Sequence, residues 1–333
     1  MIKNLEINNF KSIRHLRLDC KRINVFIGGP NTGKSNILET LGILSFGRCM
    51  NYANIKEFVR FESMSNLFYN ENLEDSITIK VDDKILKINF DFEKEVFQGR
   101  CCENVIPKPV PAPPTLFSFD YNYEGKGSAS CPGFEKLPFK FYRFTVRKGF
   151  PRKEVAFLLP PSGDNLLALL RSYKELRKLV KDIFDEYGLR IVLKPQENKM
   201  EVQKEIEDII ISHPYPLVSD TLQRVILYLA AIETNKDSVI VFEEPEAHAF
   251  PYYTKYLAER IALDKSNQYF ISTHNPYLLL SILEKAPKDD VGVFITYFED
   301  YQTKVKPLSE EEKEEILGEE IDVFFNIERF VSK

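Results

Sequence analysis

The segment Gly28-Gly29-Pro30-Asn31-Thr32-Gly33-Lys34-Ser35 constrains this chain of 333 residues more than any other stretch. It follows the apolar run Ile23-Asn24-Val25-Phe26-Ile27, which has the length of a buried strand, and from Gly33 onward Ile37, Leu38, Leu41 and Leu44 recur at helical spacing. A glycine-bounded loop between a strand and a helix lets backbone N–H groups turn inward, and the helix N-terminus adds unsatisfied donors and positive potential. Phosphate oxygens are the ligands such a cradle suits. In this setting Lys34 reaches β- and γ-phosphates as a mobile cation, and the Ser35 hydroxyl is a hard oxygen ligand for Mg²⁺.

Two further strand ends carry chemistry. Ser238-Val239-Ile240-Val241-Phe242 delivers Glu243-Glu244-Pro245, and Tyr269-Phe270-Ile271-Ser272 delivers Thr273-His274-Asn275-Pro276. Ligands of parallel sheets sit at the C-terminal edge of the strands. One carboxylate there can hold the metal with its water shell, and the next can orient or deprotonate an attacking water. A neutral imidazole can donate to a γ-phosphate oxygen or hold the water. Taken singly, two carboxylates or a histidine at a strand end are ordinary solvated or structural groups; the phosphate loop gives them their weight.

The remaining pattern bounds the architecture. Hydrophobic residues make up 44% and charged ones 29%, which excludes a mainly disordered chain, and 45 basic against 50 acidic side chains give a net charge of −5. Nucleic acid is therefore not bound by bulk charge; any contact needs a local basic surface. No apolar window has the length of a membrane span and the N-terminus lacks a signal-peptide core, so a cytoplasmic protein without membrane contact is expected. Five cysteines without paired spacing indicate no disulfide framework, although Cys101, Cys102 and Cys131 border one segment as candidate thiolate ligands. That segment, residues 98–138, is rich in proline (Pro107, Pro109, Pro111, Pro113, Pro114, Pro132, Pro138) and reads as a long loop or insertion. Strands are expected at 5–10, 13–18, 77–81, 85–92, 139–146, 155–159 and 189–193. Leu166, Leu169, Tyr173, Leu176, Val180, Ile183 and Tyr187 form three heptads of one helical seam. From residue 219 onward helix and strand alternate, as in a parallel sheet flanked by helices. An acidic helix at 309–317 and an apolar tail at 321–331 follow.

At these residues the chain resembles the ABC-type ATPases of the OLD, RecF and SMC kind. The matching segments are Asn9-Phe10-Lys11-Ser12-Ile13, Gly28 to Asn36, Leu159-Pro160-Pro161-Ser162-Gly163, Ser219 to Arg224, Phe242 to Glu246 and Ser272 to Pro276, in family order. The resemblance implies an α/β P-loop NTPase fold of ABC type, a mixed sheet with flanking helices plus a helical lobe. It would be a single domain over 1–333, with an N-terminal lobe at 1–97, the insertion at 98–138, the helical lobe at 164–235, and Walker B, switch histidine and C-terminal elements at 236–333. It also implies ATP and Mg²⁺ as cofactors, bound through Gly28, Gly29, Pro30, Asn31, Thr32, Gly33, Lys34, Ser35 and Asn36. Ser35 and Glu243 are then the metal ligands, Glu244 and His274 the catalytic residues, and residues 246–248 the D-loop. Ser219 opens a signature-like helix that would face the phosphate held by a second copy.

The signature departs from the family pattern, since Thr221 stands where a glycine is expected. That weakens close backbone approach and speaks against fast turnover, not against nucleotide binding. Gln98 and Gln203 are both candidates for the Q-loop glutamine. Ala249 and Phe250 replace the Leu and His usual in OLD-like relatives. No second acidic metal site follows His274, so nuclease activity is not expected of this chain. Arg143, Arg147, Lys148, Arg152 and Lys153 interleave with Phe141, Phe144 and Phe150, and Arg171, Lys174, Arg177, Lys178 and Lys181 add charge further on. These form either a basic aromatic surface for DNA or a solvated charged face. The function expected is an ATPase that forms a homodimer around Mg-ATP and gates a DNA-related process, in genome maintenance or anti-phage defence, through a separately encoded nuclease or other effector. The alternative is a nucleotide-dependent scaffold or sensor with little hydrolysis.

Overall fold

The computed structural model describes residues 1–103, 114–318 and 323–331. Its central sheet is built from short apolar strands, β3 (Ile23–Gly28), β9 (Phe139–Tyr142), β13 (Val239–Glu243), β14 (Gln268–Ser272) and β15 (Val291–Glu299). They run parallel in the order β15-β3-β14-β13-β9, and β16 (Gln302–Pro307) adds antiparallel to β15. Period-two alternation divides the interior: Phe26, Val241, Phe270 and Phe294 face one cluster, while Val25, Ile27, Ile240, Phe242 and Ile271 face the other. Burial on both faces is why these strands read as unbroken apolar runs.

Against the Phe26 face lies α1 (Lys34–Cys49), buried along nearly its whole length. Its apolar residues share one core with a second, antiparallel sheet on its far side. That sheet comprises β1 (Asn4–Phe10), β2 (Ile13–Asp19), β4 (Ile77–Val81), β5 (Lys84–Asp91), β6 (Val96–Glu103), β7 (Thr115–Tyr121) and β8 (Gly127–Ser130), in the order β2-β1-β4-β5-β6-β7-β8. A helix covered on both sides has no need of a polar face, which explains the Ile43 and Phe46 outside its simple stripe. The other face of the central sheet carries α2 (Leu166–Ser172), α3 (Lys174–Asp185), α4 (Asp220–Thr234), α5 (Pro251–Leu263) and α6 (Pro276–Lys285). Among the described residues no helix is long and apolar enough to cross a membrane.

Several local expectations change. Within the proline-rich stretch, residues 96–103, 115–121 and 127–130 are strands of the second sheet; Pro107, Pro109, Pro111 and Pro113 lie outside the described residues. Only 139–142 of the expected 139–146 strand is formed, and 155–159 is irregular. The heptad seam is not one helix. Tyr173 takes an extended backbone (φ −98°, ψ 109°) between α2 and α3, its hydroxyl donates to Ala156 O at 2.9 Å, and the Arg177 guanidinium donates to Arg171 O, a carbonyl freed at the end of α2, at 2.9 Å. Leu176, Val180 and Ile183 still point inward, whereas Tyr187 lies beyond the helix and is exposed. The lobe over 164–235 is also not wholly helical, because β10 (Arg190–Lys194), β11 (Lys199–Ile206) and β12 (Ile209–Pro214) form a separate antiparallel sheet. In the tail, α7 (Glu310–Gly318) is the acidic helix and α8 (Ile327–Val331) closes the chain; residues 321–322 lie outside the described part.

Phe26 stacks on Phe294 and Phe270, with ring centroids 5.2 and 6.4 Å away, and is fully buried. Truncating Phe26 to Ala leaves a cavity between β3 and its neighbours, so Phe26→Ala is expected to lose about 3–5 kcal/mol in urea unfolding. A loss below ~1 kcal/mol would contradict this placement.

Candidate functional site

The loop after β3 is shaped by what lies beneath it. Gly33 takes a left-handed conformation (φ 95°) and is the N-cap of α1, where it offers no side chain to the first-turn N–H groups. Those donors stay available to an external anion. A Cβ on Gly33 would overlap the Thr303 side chain, and one on Gly28 would overlap Thr296. The same threonines brace the loop. Thr32 Oγ1 donates to Gly29 O at 2.9 Å and lies 2.7 Å from Thr296 Oγ1; Asn36 Nδ2 donates to Ser12 Oγ at 2.7 Å, and Ser12 Oγ lies 2.7 Å from Thr303 Oγ1. Pro30 and Asn31 form the exposed rim. Lys34 is buried and donates across the loop mouth to Gly28 O and Gly29 O, both at 2.8 Å. Burial pulls its pKa down to about 8, with the charge of Glu244 opposing.

The strand ends of β13 and β14 meet this loop. Glu244 is held in the left-handed region (φ 44°), a strained conformation for a residue with a side chain, and its N–H donates to Ser272 O at 3.0 Å. The His274 Nε2 lies 3.3 Å from Glu244 Oε1. Burial and the Lys34 charge lower the pKa of His274 against the pull of Glu244, so the imidazole is neutral near pH 7. Behind this pair sits Glu246, whose Oε1 accepts from Thr273 Oγ1 at 2.5 Å and from the His274 N–H at 3.3 Å. Thr221 Oγ1 donates to His248 O at 2.7 Å, tying the same segment to the first turn of α4.

On the other side of the loop the Ser35 hydroxyl lies near enough to the Glu243 carboxylate to help lower its pKa. Two hard oxygen donors thus lie side by side next to the phosphate cradle, a set that fits Mg²⁺. Glu243 has further partners. Arg143 donates to its Oε2 from Nε at 3.0 Å and Nη2 at 2.8 Å, and Arg60 Nη2 donates to Oε1 at 3.1 Å. Burial works to raise the Glu243 pKa, but Arg143, Ser35 and Arg60 outweigh it and hold the carboxyl below its ordinary range. Both arginines, together with Lys11, also reach the wholly buried Glu39 of α1.

Lys34, Ser35, Glu243, Glu244 and His274 therefore share one edge, and Asn36 joins them through Ser12. Ser219 is placed elsewhere: it is the exposed N-cap of α4, accepting from Leu222 N at 3.4 Å. Gln98 lies on β6 and Gln203 on β11, neither of which belongs to the central sheet. The basic aromatic stretch does not form one surface, because Phe141 and Phe150 are buried, Arg143 turns to Glu243 and Arg147 pairs with Asp164. All five cysteines are free, and among the described residues no cluster of His, Cys, Asp or Glu has metal-binding proximity. Sequence spacing gives no signal for Thr296 or Thr303, which strand pairing brings in, nor for Glu39 of α1 and Arg60 of the loop after it, which packing brings in; Arg143 shows only as one cation in a basic run.

Known proteins resemble this chain in sequence and in fold. The family described as "AAA ATPase domain" matches residues 1–215, and that described as "AAA domain, putative AbiEii toxin, Type IV TA system" matches residues 165–281. The DNA replication and repair protein RecF of Clostridioides difficile (strain 630) is 33% identical over 96 residues, 26% of this chain and 26% of that protein. An ATP/GTP phosphatase of Helicobacter pylori (strain ATCC 700392 / 26695) is 38% identical over 88 residues, 24% of either chain. The matched part thus spans about a quarter of the length of these curated relatives. In three dimensions, an SMC head bound to the C-winged helix domain of ScpA superposes with a TM-score of 0.53 at 15% identity, covering 93% of this chain and 98% of that one. The Smc head with an extended coiled coil, bound to the C-terminal domain of ScpA derived from Pyrococcus furiosus, gives 0.51 at 13% identity over 96% and 98%. At such identities the shared property is the fold.

Burial raises the Glu246 pKa to about 7, its hydrogen bonds opposing, and Oε2 has no partner among the described residues. Raised above its unfolded value, this carboxyl favours the folded state at low pH and progressively less as pH rises from about 4.5 to 7. Glu246→Gln removes the ionisation while keeping an acceptor for Thr273. Its stability relative to wild type, read by urea unfolding, is expected to improve by up to ~3 kcal/mol between pH 4.5 and 7.5. A pH-independent difference would contradict the assignment.

Proposed function

The chain belongs to the AAA ATPase domain family, within the RecF/SMC group of ABC-type ATPases, and from that premise we propose that it hydrolyses ATP as a pair of copies closed around the nucleotide. The observation that carries hydrolysis is the 3.3 Å contact between Glu244 and His274, both within electrostatic reach of Lys34. Lys34 and the uncapped N-terminus of α1 hold and orient the phosphates. Glu244 orients the attacking water and takes its proton, and the neutral His274 steadies that water or donates to a γ-phosphate oxygen. Ser35 and Glu243 would hold Mg²⁺, whose contribution is to neutralise charge on the phosphate oxygens. Glu246 keeps the backbone at Thr273 and His274 in register with Glu244.

Pairing is supported by Ser219, which lies exposed at the start of a fifteen-residue helix and away from its own phosphate loop. A second copy would meet it as a phosphate partner. The name of the RecF relatives supports a DNA-related process; that it lies in genome maintenance or defence and is gated through a separately encoded effector is the rest of the proposal. A second reading, a nucleotide-dependent scaffold with little hydrolysis, is favoured by one feature: Thr221 replaces the signature glycine, and its hydroxyl is committed to His248 O.

In Glu244→Gln protein, turnover is expected to fall at least ~100-fold while ATP binding persists. Mg-ATP should then double the mass measured by light scattering; a variant that binds ATP and stays monomeric overturns the pairing. Phosphate release with and without double-stranded DNA separates the two readings. Stimulation supports the gated ATPase, and negligible turnover despite tight binding supports the scaffold.

A further inference from the structure

The carboxylate expected to serve the metal is already neutralised by the chain itself. Arg143 follows β9, the strand beside β13, and its guanidinium contacts Glu243 Oε2 through two nitrogens, while Arg60 takes Oε1. The Glu243 side chain is only 12% exposed, so this pairing forms in a largely desolvated setting where charge-assisted hydrogen bonds are strong. Arg143 is further fixed by stacking over the buried Phe141 ring, 5.1 Å from its centroid. Counting the whole network, the three cations Lys11, Arg60 and Arg143 face the two carboxylates Glu39 and Glu243. Within that network one positive charge is left over; Lys34 adds another and the neighbouring Glu244 offsets one.

A bare Glu243 would repel a triphosphate until a cation screened it. Here Glu243 is not bare. We propose that Arg143, seconded by Arg60, is the resident counter-cation of Glu243: it allows the loop to take a nucleoside triphosphate without divalent metal, and it must release Glu243 before that carboxylate can serve one. Metal is then required for turnover and not for binding. A guanidinium does not deprotonate in this pH range, so the exchange is a movement of Arg143 and not a proton transfer. The inference rests on the nucleotide-binding reading above and concerns the positioning residues of that same site.

The test is equilibrium binding of a fluorescent ATP analogue in EDTA and in Mg²⁺. Wild-type protein is expected to bind in both, with affinities within about tenfold of each other. Arg143→Gln leaves Glu243 half-compensated, so its affinity should fall by about tenfold or more in EDTA while staying near wild type in Mg²⁺. The double variant Arg143→Gln/Glu243→Gln, a neutral pair of similar shape, should recover metal-free binding; it also serves if the single variant folds poorly. Three results overturn the proposal and leave nucleotide binding standing: wild type that binds only with Mg²⁺, an unchanged EDTA-to-Mg²⁺ ratio in Arg143→Gln, or no recovery in the double variant. Wild type that binds in neither condition overturns the nucleotide-binding reading and the proposal with it.

Discussion

Parallel register in the central sheet is the constraint on which the rest depends. Ser272 of β14 pairs with Phe26 of β3 on one side and with Glu243 of β13 on the other. With those pairs set, the loop after β3, Glu243, Glu244 and His274 must emerge at the same height on one edge, where parallel sheets place their ligand sites. The packing serves the register, since slipping one strand by a residue would turn Phe26, Phe270 or Val241 out of the cluster around α1. Core and site are therefore specified by the same pairing.

That coupling explains what was legible in the sequence. Strand ends marked by Gly28, Glu243 and Ser272 announce themselves because apolar runs stop where polar, chemistry-bearing residues begin, and the alternation of helix and strand after residue 219 gives the parallel sheet. The antiparallel strands hidden in 96–130 were masked by proline density, which signals a break without saying how short the regular pieces between breaks are. The seam over 166–187 showed the right buried residues with the wrong continuity: heptad spacing reports which residues face inward, and Tyr173 interrupts the backbone without disturbing that list. Of the three-stranded sheet over 190–214, the apolar run at 189–193 shows its strand, whereas the charge of 197–208 hides the alternation of Met200 and Val202 that turns β11 inward.

The site itself was half legible. Residues contributed by a contiguous motif can be recognised by spacing, whereas those contributed by packing cannot. Glu39 looks like a stray charge in an apolar helix until Lys11, Arg60 and Arg143 are seen around it, and Thr296 and Thr303 look like ordinary strand threonines until the loop is seen resting on them. The basic run at 143–153 leaves two readings open in the sequence, because proximity along the chain does not tell that Arg143 turns to Glu243 and Arg147 to Asp164.

The short segment between β13 and α5 has two anchors, Glu246 on the backbone of His274 and the carbonyl of His248 on the hydroxyl of Thr221. The strand end that carries His274 and the helix that begins after Ser219 are therefore braced by one stretch of chain, and a substitution at Glu246 or Thr221 removes a support that the two elements share.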